Sequence, residues 1–162
     1  MTAIDVAELS IVEASEADLE GVLKLQYLCY QTEAQRYDFY EIPALTQTLD
    51  SLREDLRTQV LLVVKLGDEV IASVRGAHAG DHFHIGRLVV HPRVQRQGLG
   101  TRLLAAVEER AGDVPRFELF TGHRSEEFLG VYLKSGYQES RTEEISPALT
   151  LVYLDKIPGA QS

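Results

Sequence analysis

The stretch from Gln95 to Gly100 has the residue types and spacing of an anion-binding loop. It reads Gln-Arg-Gln-Gly-Leu-Gly and joins a predicted buried strand, 85–90, to an amphipathic helix. Its glycines let the backbone approach a ligand closely, and the helix start offers unpaired N–H groups at the positive end of the helix dipole. The sequence therefore predicts an anion site, with a diphosphate as the expected ligand.

Charge is distributed unevenly around this loop. The chain has a formal net charge of -9, yet residues 82–107 contain no Asp or Glu and carry Arg87, Arg93, Arg96 and Arg102. An acidic chain repels nucleic acid and anionic membranes, so the basic segment favours a small anionic ligand over a polymer. The alternative is an exposed arginine-rich loop that serves solubility alone.

Length and composition predict one globular domain. The 162 residues are 44% hydrophobic and 25% charged, which fits a single domain over 1–157 followed by a flexible tail, 158–162. Cys29 is the only cysteine, and it is expected to be a small core residue in a reducing compartment. The first nine residues lack the basic and apolar pattern of a signal peptide, and no apolar run approaches about 18 residues. A cytoplasmic protein without a membrane partner is expected.

The hydrophobic pattern predicts an α/β fold. It consists of a single mixed, mostly antiparallel sheet flanked by helices, with one right-handed parallel βαβ crossover through the loop. Aromatic residues near Tyr37 fall in a predicted irregular connection, where they could form an acceptor pocket or lid, or could close over the core. In chain order we predict strand 8–14, a helix to about Thr32, a helix from near Thr46, strands 59–66, 69–77 and 82–90, a helix from the loop to Gly112, strand 117–121, helix 126–134, and strands 137–143 and 149–154.

Two familiar phosphate loops fit the sequence poorly. A Walker A loop needs a Lys after its last Gly, where this chain has Thr101. A dinucleotide fingerprint needs a third Gly at the position of Leu103, and the connection before Gly98 is too long for its tight turn. A dinucleotide-binding oxidoreductase domain is therefore kept only as an alternative behind the two functions named below.

Three segments together resemble the GNAT acyltransferase superfamily, over nearly the whole chain. They are Arg87-Leu88-Val89-Val90-His91-Pro92, the Gln95-x-x-Gly98-x-Gly100 loop with its helix, and Val131-Tyr132-Leu133-Lys134-Ser135-Gly136-Tyr137. The resemblance implies acetyl-CoA or another acyl-CoA as co-substrate, with its pyrophosphate on the loop backbone and its pantetheine arm along the strand. The residues that the resemblance implies for cofactor binding are Leu88, Val89, Val90, Gln95, Arg96, Gln97, Gly98, Leu99, Gly100, Thr101 and Ser125; Ser125 could alternatively cap a helix.

Transfer to an amine requires a base for the amine proton and an acid for the leaving thiolate. Tyr132 matches the family position whose hydroxyl often points to the CoA sulfur, which implies a general acid, although a packing role is the alternative. Many family members have Glu at the position of Gly86, and its absence leaves the base open. His84, two residues earlier on the same strand face, could act through water or could lie on the surface.

These residues favour an N-acyltransferase that uses an acyl-CoA, with a noncatalytic acyl-CoA-binding or regulatory module as the alternative. The acceptor is expected to be a small-molecule or protein amine. The family resemblance is compatible with a homodimer. A metal site built from His78, His82 and His84 is not expected, because only Asp81 offers an acidic ligand nearby.

Overall fold

The computed structural model describes residues 5–159, which form seven strands and five α-helices around one sheet. The predicted α/β class with a single mixed sheet is confirmed. The elements are β1 Ile11–Glu13, α1 Leu19–Tyr37, α2 Pro43–Thr46, α3 Leu49–Thr58, β2 Val60–Leu66, β3 Glu69–Ala79, β4 His82–Val90, α4 Leu99–Ala111, β5 Phe117–Gly122, α5 Glu126–Lys134, β6 Gln138–Ser146 and β7 Leu149–Lys156.

The sheet has the strand order β1-β2-β3-β4-β5-β7-β6. Its neighbours are antiparallel except β4 and β5, the predicted parallel pair. Those two strands pair only at Phe83 with Phe117 and at His84 with Glu118, after which their ladder ends. β5 continues to pair with β7 up to Gly122. The two central strands therefore diverge toward their carboxyl ends and leave a cleft in the middle of the sheet.

Apolar side chains are buried on both faces of the sheet, which explains the uninterrupted apolar run of β2. Leu62 and Val64 pack into the cluster that contains the buried side chains of α4, whereas Leu61 and Val63 pack into the cluster under α1 and α3. Each such side chain is 3% exposed or less, and full burial of a Val or Leu contributes about 1.5–3 kcal/mol. The two helical layers hold the strands rigidly on either side of the cleft.

Several predicted boundaries differ from the structure: β3, β6 and β7 extend beyond their predicted ends, and three larger differences lie in the amino-terminal third of the chain. The first helix does not stop near Thr32 but continues to Tyr37 and ends at Asp38, whose left-handed backbone (φ 48) closes the helix. The second predicted helix begins at Leu49 and not near Thr46, because the Thr48 side chain accepts a hydrogen bond from Ser51 N at 3.1 Å and caps α3. The short helix α2 precedes it, in a stretch predicted to be irregular. The first strand is shorter than predicted, since Val6–Glu8 form a 3-10 turn.

Residues 1–4 and 160–162 lie outside the described part of the chain. They include part of the nine residues in which no signal peptide was predicted, and most of the predicted tail. Within residues 5–159, no helix has the length and apolar character needed to cross a membrane.

Candidate active site

The cleft between β4 and β5 contains two cavities, which we call the loop chamber and the inner chamber. The loop chamber, of about 460 Å³, lies between the Gln95–Thr101 loop and α5. The inner chamber, of about 140 Å³, lies between β4, β5 and α1. Leu88 and Phe128 line both chambers. A ligand that occupies the loop chamber can therefore extend past these two side chains into the centre of the sheet.

The loop chamber gathers most of the residues predicted to bind a cofactor. Gln97 does not line it, and Val89 lines the inner chamber instead. Ser125 lines neither chamber. The predicted residues that line the loop chamber are Leu88, Val90, Gln95, Arg96, Gly98, Leu99, Gly100 and Thr101.

The backbone of the loop turns sharply to bring the start of α4 to the chamber. Arg96 (φ 64) and Gly98 (φ 81) both have left-handed backbone, and Gly98 is the N-cap of α4. Gln95 fixes the loop to β4, since its Nε2 donates to the Val90 carbonyl at 3.0 Å. The first N–H groups of a helix have no intrahelical partner. The chamber is thus lined by backbone donors at the positive end of the α4 dipole.

Gly100 has no packing reason to be glycine. A Cβ built there would lie 4.0 Å from the side chains of Leu88 and Val90, which is an ordinary contact, and its backbone is helical. Because the protein itself leaves this space open, an empty cradle remains above the first turn of α4. That cradle fits a bound anion that needs to approach the backbone closely.

The arginines of the basic segment are mostly engaged elsewhere. Arg93 is paired with Glu69, and Arg96 with Glu127 at 2.7 Å. Arg102 donates to the carbonyls of Val6 and Leu9 at 2.8 and 2.9 Å and so anchors the amino-terminal segment. The argument from charge was therefore only partly right, because the loop presents backbone donors more than free guanidinium groups.

Tyr132 projects from α5 into the wall of the inner chamber and is 6% exposed. Burial raises the pKa of its hydroxyl well above the usual range, and Tyr30 and Glu33 nearby raise it further. The hydroxyl therefore keeps its proton at neutral pH. A protonated hydroxyl at this place can donate to a thiolate formed in the cleft.

Gly86 lies in the inner chamber, and the His84 ring lies beside it. A Cβ at Gly86 would be 3.6 Å from His84 Nε2, although His84 does not itself line the chamber. Burial lowers the pKa of His84, partly opposed by Glu118 and helped by His82. A neutral imidazole thus occupies the space next to the position where a carboxylate is missing.

His82, His84 and Glu118 place ligand atoms within 4.8 Å of one another, close enough for a metal ion. The acidic member comes from β5, not from Asp81, which instead accepts from His82 at 3.1 Å. His78 turns away and packs against Phe83. Arg116 holds Oε2 of Glu118 at 2.8 Å, while Oε1 of the same carboxylate faces His82 Nε2 at 3.7 Å. The absence of a metal stays a prediction.

The extension of α1 brings Glu33 into the inner chamber, which sequence reasoning missed. A chain of hydrogen bonds orients its carboxylate: Arg124 N donates to Tyr37 Oη, Tyr37 Oη to Ser125 Oγ, and Ser125 Oγ to Glu33 Oε2, each at 2.8 Å. The Ser125 hydroxyl is therefore engaged with α1 and does not cap α5. The four-three-four spacing of Gln26, Tyr30, Glu33 and Tyr37 is the signal that could have extended the helix.

Two other chamber residues differ from expectation. Cys29 lies in the wall of the inner chamber, with its thiol 3.5 Å from the Val90 carbonyl, and burial raises its thiol pKa to about 11. A neutral thiol is unreactive at pH 7, and Cys29 is a half-buried residue of the chamber wall where the sequence predicted a core residue. Tyr37 is buried in the same wall, while Tyr40 is exposed. The aromatic segment thus contributes one wall residue, not a lid.

The family of the chain follows from its relatives. The model of the acetyltransferase (GNAT) family matches residues 19–137. This chain belongs to the GNAT acetyltransferase family, and the resemblance stated from the sequence is confirmed.

Solved structures share the fold at low identity. The PaiA N-acetyltransferase of Thermoplasma acidophilum in complex with coenzyme A has a TM-score of 0.74 at 13% identity, over 93% of this chain and 99% of that one. A GNAT-family acetyltransferase of Streptococcus pneumoniae has a TM-score of 0.75 at 20% identity, over 94% and 100% of the two chains. The structure of YncA of Salmonella typhimurium with its cofactor acetyl-CoA has a TM-score of 0.70 at 15% identity, over 96% of each chain.

A curated relative matches by sequence. The UPF0157 protein YqkA of Bacillus subtilis is 25% identical over 130 residues, which cover 80% of this chain and 37% of YqkA. This chain thus spans little more than a third of that relative's length.

Proposed function

We propose that this protein transfers an acyl group from acetyl-CoA or another acyl-CoA to an amine. The observation that carries the proposal is the divided cleft, in which a chamber of backbone donors opens past Leu88 and Phe128 to the Tyr132 hydroxyl. Structural relatives solved with coenzyme A and with acetyl-CoA support this choice of co-substrate. The space beside Gly100, where a Cβ would lie 4.0 Å from the nearest side chains, supports a pyrophosphate bound close to the backbone.

When bound, the co-substrate supplies a thioester whose carbonyl carbon is open to attack by an amine. Each residue of the cleft then has one task. The N–H groups from Arg96 to Thr101 hold the pyrophosphate, where each charge-assisted hydrogen bond contributes about 1.5–3 kcal/mol. The diverging edge of β4 at Leu88–Val90 offers backbone groups to the pantetheine arm, and a strand N–H near Val90 offers a donor to the developing oxyanion.

Proton transfer is assigned to two side chains. The reaction forms a C–N bond and breaks the C–S bond, so the nitrogen loses a proton and the sulfur gains one. His84, neutral because burial lowers its pKa, accepts the amine proton through a water molecule beside Gly86. Tyr132 gives its proton to the leaving sulfur.

Incubation with acetyl-CoA and a panel of amines tests the proposal by release of free thiol. We expect release that depends on the amine. The absent carboxylate at Gly86 favours a second candidate, a noncatalytic acyl-CoA-binding module. Such a module would be stabilised by CoA, by about 2.7 kcal/mol at a hundredfold excess over Kd, without any turnover. No thiol release and no stabilisation by CoA would contradict both.

The expectations about partners stay proposals. The acceptor is a small-molecule or protein amine, nucleic acid and membranes are not partners, and two chains associate as a homodimer. We place the protein in the cytoplasm for the same sequence reasons.

A further inference from the structure

The inner chamber has two side chains of opposite formal charge among the described residues that line it, Glu33 and Arg87. Glu33 belongs to α1, and its carboxylate is oriented by Ser125. Arg87 belongs to β4, at the point where that strand leaves β5. An amine and an anion on one small molecule could thus be bound at separate places in the same chamber.

Arg87 stands in a backbone conformation that side chains rarely adopt. Its φ is 52, inside a β-bulge where the pairing with β3 shifts between Gly86 and Val89. A left-handed backbone is uncommon for a residue other than Gly, Asn or Asp and costs about 1–2 kcal/mol. Glycine would avoid this cost. The side chain therefore brings something to the site that glycine could not.

The Arg87 guanidinium has no anionic partner in residues 5–159. Its one hydrogen bond in that part of the chain goes to Gln47 Oε1 at 3.4 Å, an oxygen that also accepts from Gln26 Nε2 and Arg75. Arg75 is a second guanidinium beside it, and Arg75 is already paired with Asp55. Burial and the Arg87 charge together lower the pKa of Arg75 to about 10. Asp55 is paired with Arg75, and Glu33, the carboxylate of the inner chamber, is paired with Arg36 at 3.2 Å. A bound anion would therefore balance the charge of Arg87.

We infer that Arg87 binds the carboxylate of the acceptor, and that the acceptor is a free amino acid whose amine is held near Glu33. This inference rests on the proposed acyltransferase function. Arg87 reaches Gln47, between α2 and α3 on the face of the sheet opposite α4, whereas the loop chamber lies at the start of α4. The anion therefore belongs to the acceptor and not to the acyl donor. Ile42, Leu149 and Leu151 in the chamber wall favour an apolar side chain.

The test compares leucine, methionine and phenylalanine with their carboxamides, which keep the amine and lose the anion. Wild type is compared with Arg87→Gln and with Arg87→Gly, the second of which suits a positive φ and preserves the bulge. The α-amine of an amino-acid amide has a lower pKa than that of the free amino acid, so the two substrates differ in reactivity as well as in charge. The ratio of kcat/KM for the acid to kcat/KM for the amide is therefore compared between each variant and wild type. Arg57→Gln, at an exposed arginine of α3 paired with Glu54, is the matched control.

We expect both Arg87 variants to lower that ratio by about 10- to 100-fold, the effect of losing one charge-assisted pair. Arg57→Gln should leave the ratio as in wild type. An unchanged ratio in the Arg87 variants overturns the inference. So does an Arg87 effect that appears with succinyl-CoA but not with acetyl-CoA, because the anion would then belong to the donor.

A binding measurement separates this inference from the proposed function. Calorimetric titration of leucine into CoA-saturated protein should give heat of binding that Arg87→Gly removes and Arg57→Gln retains. If wild type acylates no amine but binds leucine through Arg87, the acyltransferase function fails and the amino-acid site stands. If amines are acylated without any dependence on Arg87, the function stands and the amino-acid site fails.

Discussion

The loop chamber and the inner chamber draw their polar groups from different sources. In the loop chamber, the donors are backbone N–H groups of one continuous segment, Gln95–Thr101, at the start of α4. In the inner chamber they are side chains from α1, β4 and α5, among them Glu33, Arg87 and Tyr132. Backbone donors tolerate changes of side chain as long as the glycines remain. A site of converging side chains changes its specificity with each substitution.

This difference fits the two tasks of an acyltransferase. The CoA part of the co-substrate does not vary, so a rigid backbone cradle suffices for it. The acceptor varies between proteins that share the fold, and specificity for it requires placed charges and shaped walls. Substitutions in the loop chamber should therefore change CoA affinity. Substitutions in the inner chamber should change turnover and the choice of acceptor.

The largest difference between the effect on kcat and the effect on CoA affinity is expected from Tyr132→Phe in the inner chamber. Loss of a general acid lowers kcat by about 10²- to 10⁴-fold, while affinity for CoA should stay within a factor of about two to three, because the ring still packs beside Phe128. Steady-state kinetics and calorimetry with CoA measure the two effects. Unaltered kcat would contradict the assignment of Tyr132, and an equal loss of CoA affinity would indicate a packing role instead.

Gly100→Ala in the loop chamber is expected to act on CoA affinity, and its effect should be smaller than that of Tyr132→Phe on kcat. The added methyl group contacts no protein atom closer than 4.0 Å and improves helix propensity, so the melting temperature of the free protein should stay equal or rise. The same methyl group occupies the cradle and should weaken CoA binding by about 10-fold or more, the equivalent of one lost hydrogen bond to an anion.

Arg96→Gln is the control for that experiment. Its side chain is 82% exposed and paired with Glu127 across the loop. If the backbone does the binding, this variant should change CoA affinity by less than about threefold, because exposed ion pairs contribute little. A loss as large as that of Gly100→Ala would mean that the loop binds through its arginines, as the uneven charge of the sequence first suggested.

The same contrast explains how much the sequence could predict. The loop, its strand and its helix are contiguous, and their glycines and apolar spacing are local signals, so the fold and the loop chamber followed from the sequence. The Glu33 contact to Ser125 joins residues 92 positions apart. It depended on the last turns of α1, for which the spacing of Tyr30, Glu33 and Tyr37 was the one signal within a polar segment. The left-handed Arg87 depends on a register shift against β3, which arises only when the strands pair.

Catalytic assignments lie between these cases. Tyr132 could be predicted because it precedes Gly136 in a local motif, and the observed α5 has the predicted bounds, Glu126–Lys134. His84 was a candidate by its position two residues before Gly86. Only the packed structure brings its Nε2 to 3.6 Å from a Cβ at that glycine and half-buries the ring beside Phe120 of the neighbouring strand β5.

The smallest of these effects is a change in pH dependence at His84. Its pKa lies below 6.5 in the folded protein, so the unfolded chain binds more protons as the pH falls below about 6.5. Stability should therefore decrease as the pH falls from 6.5 toward the folded pKa, and His84→Gln should reduce that decrease.

If His84 is also the base, kcat with saturating substrates should fall on the acid side over the same range. In His84→Gln, kcat should be lower at neutral pH and should lose that acid limb. His84→Gln could instead lose the pH dependence of stability and retain the acid limb of kcat. His84 would then be a neighbour of the site and not the base. Glu33, the carboxylate that lines the inner chamber, would be the next candidate for the base.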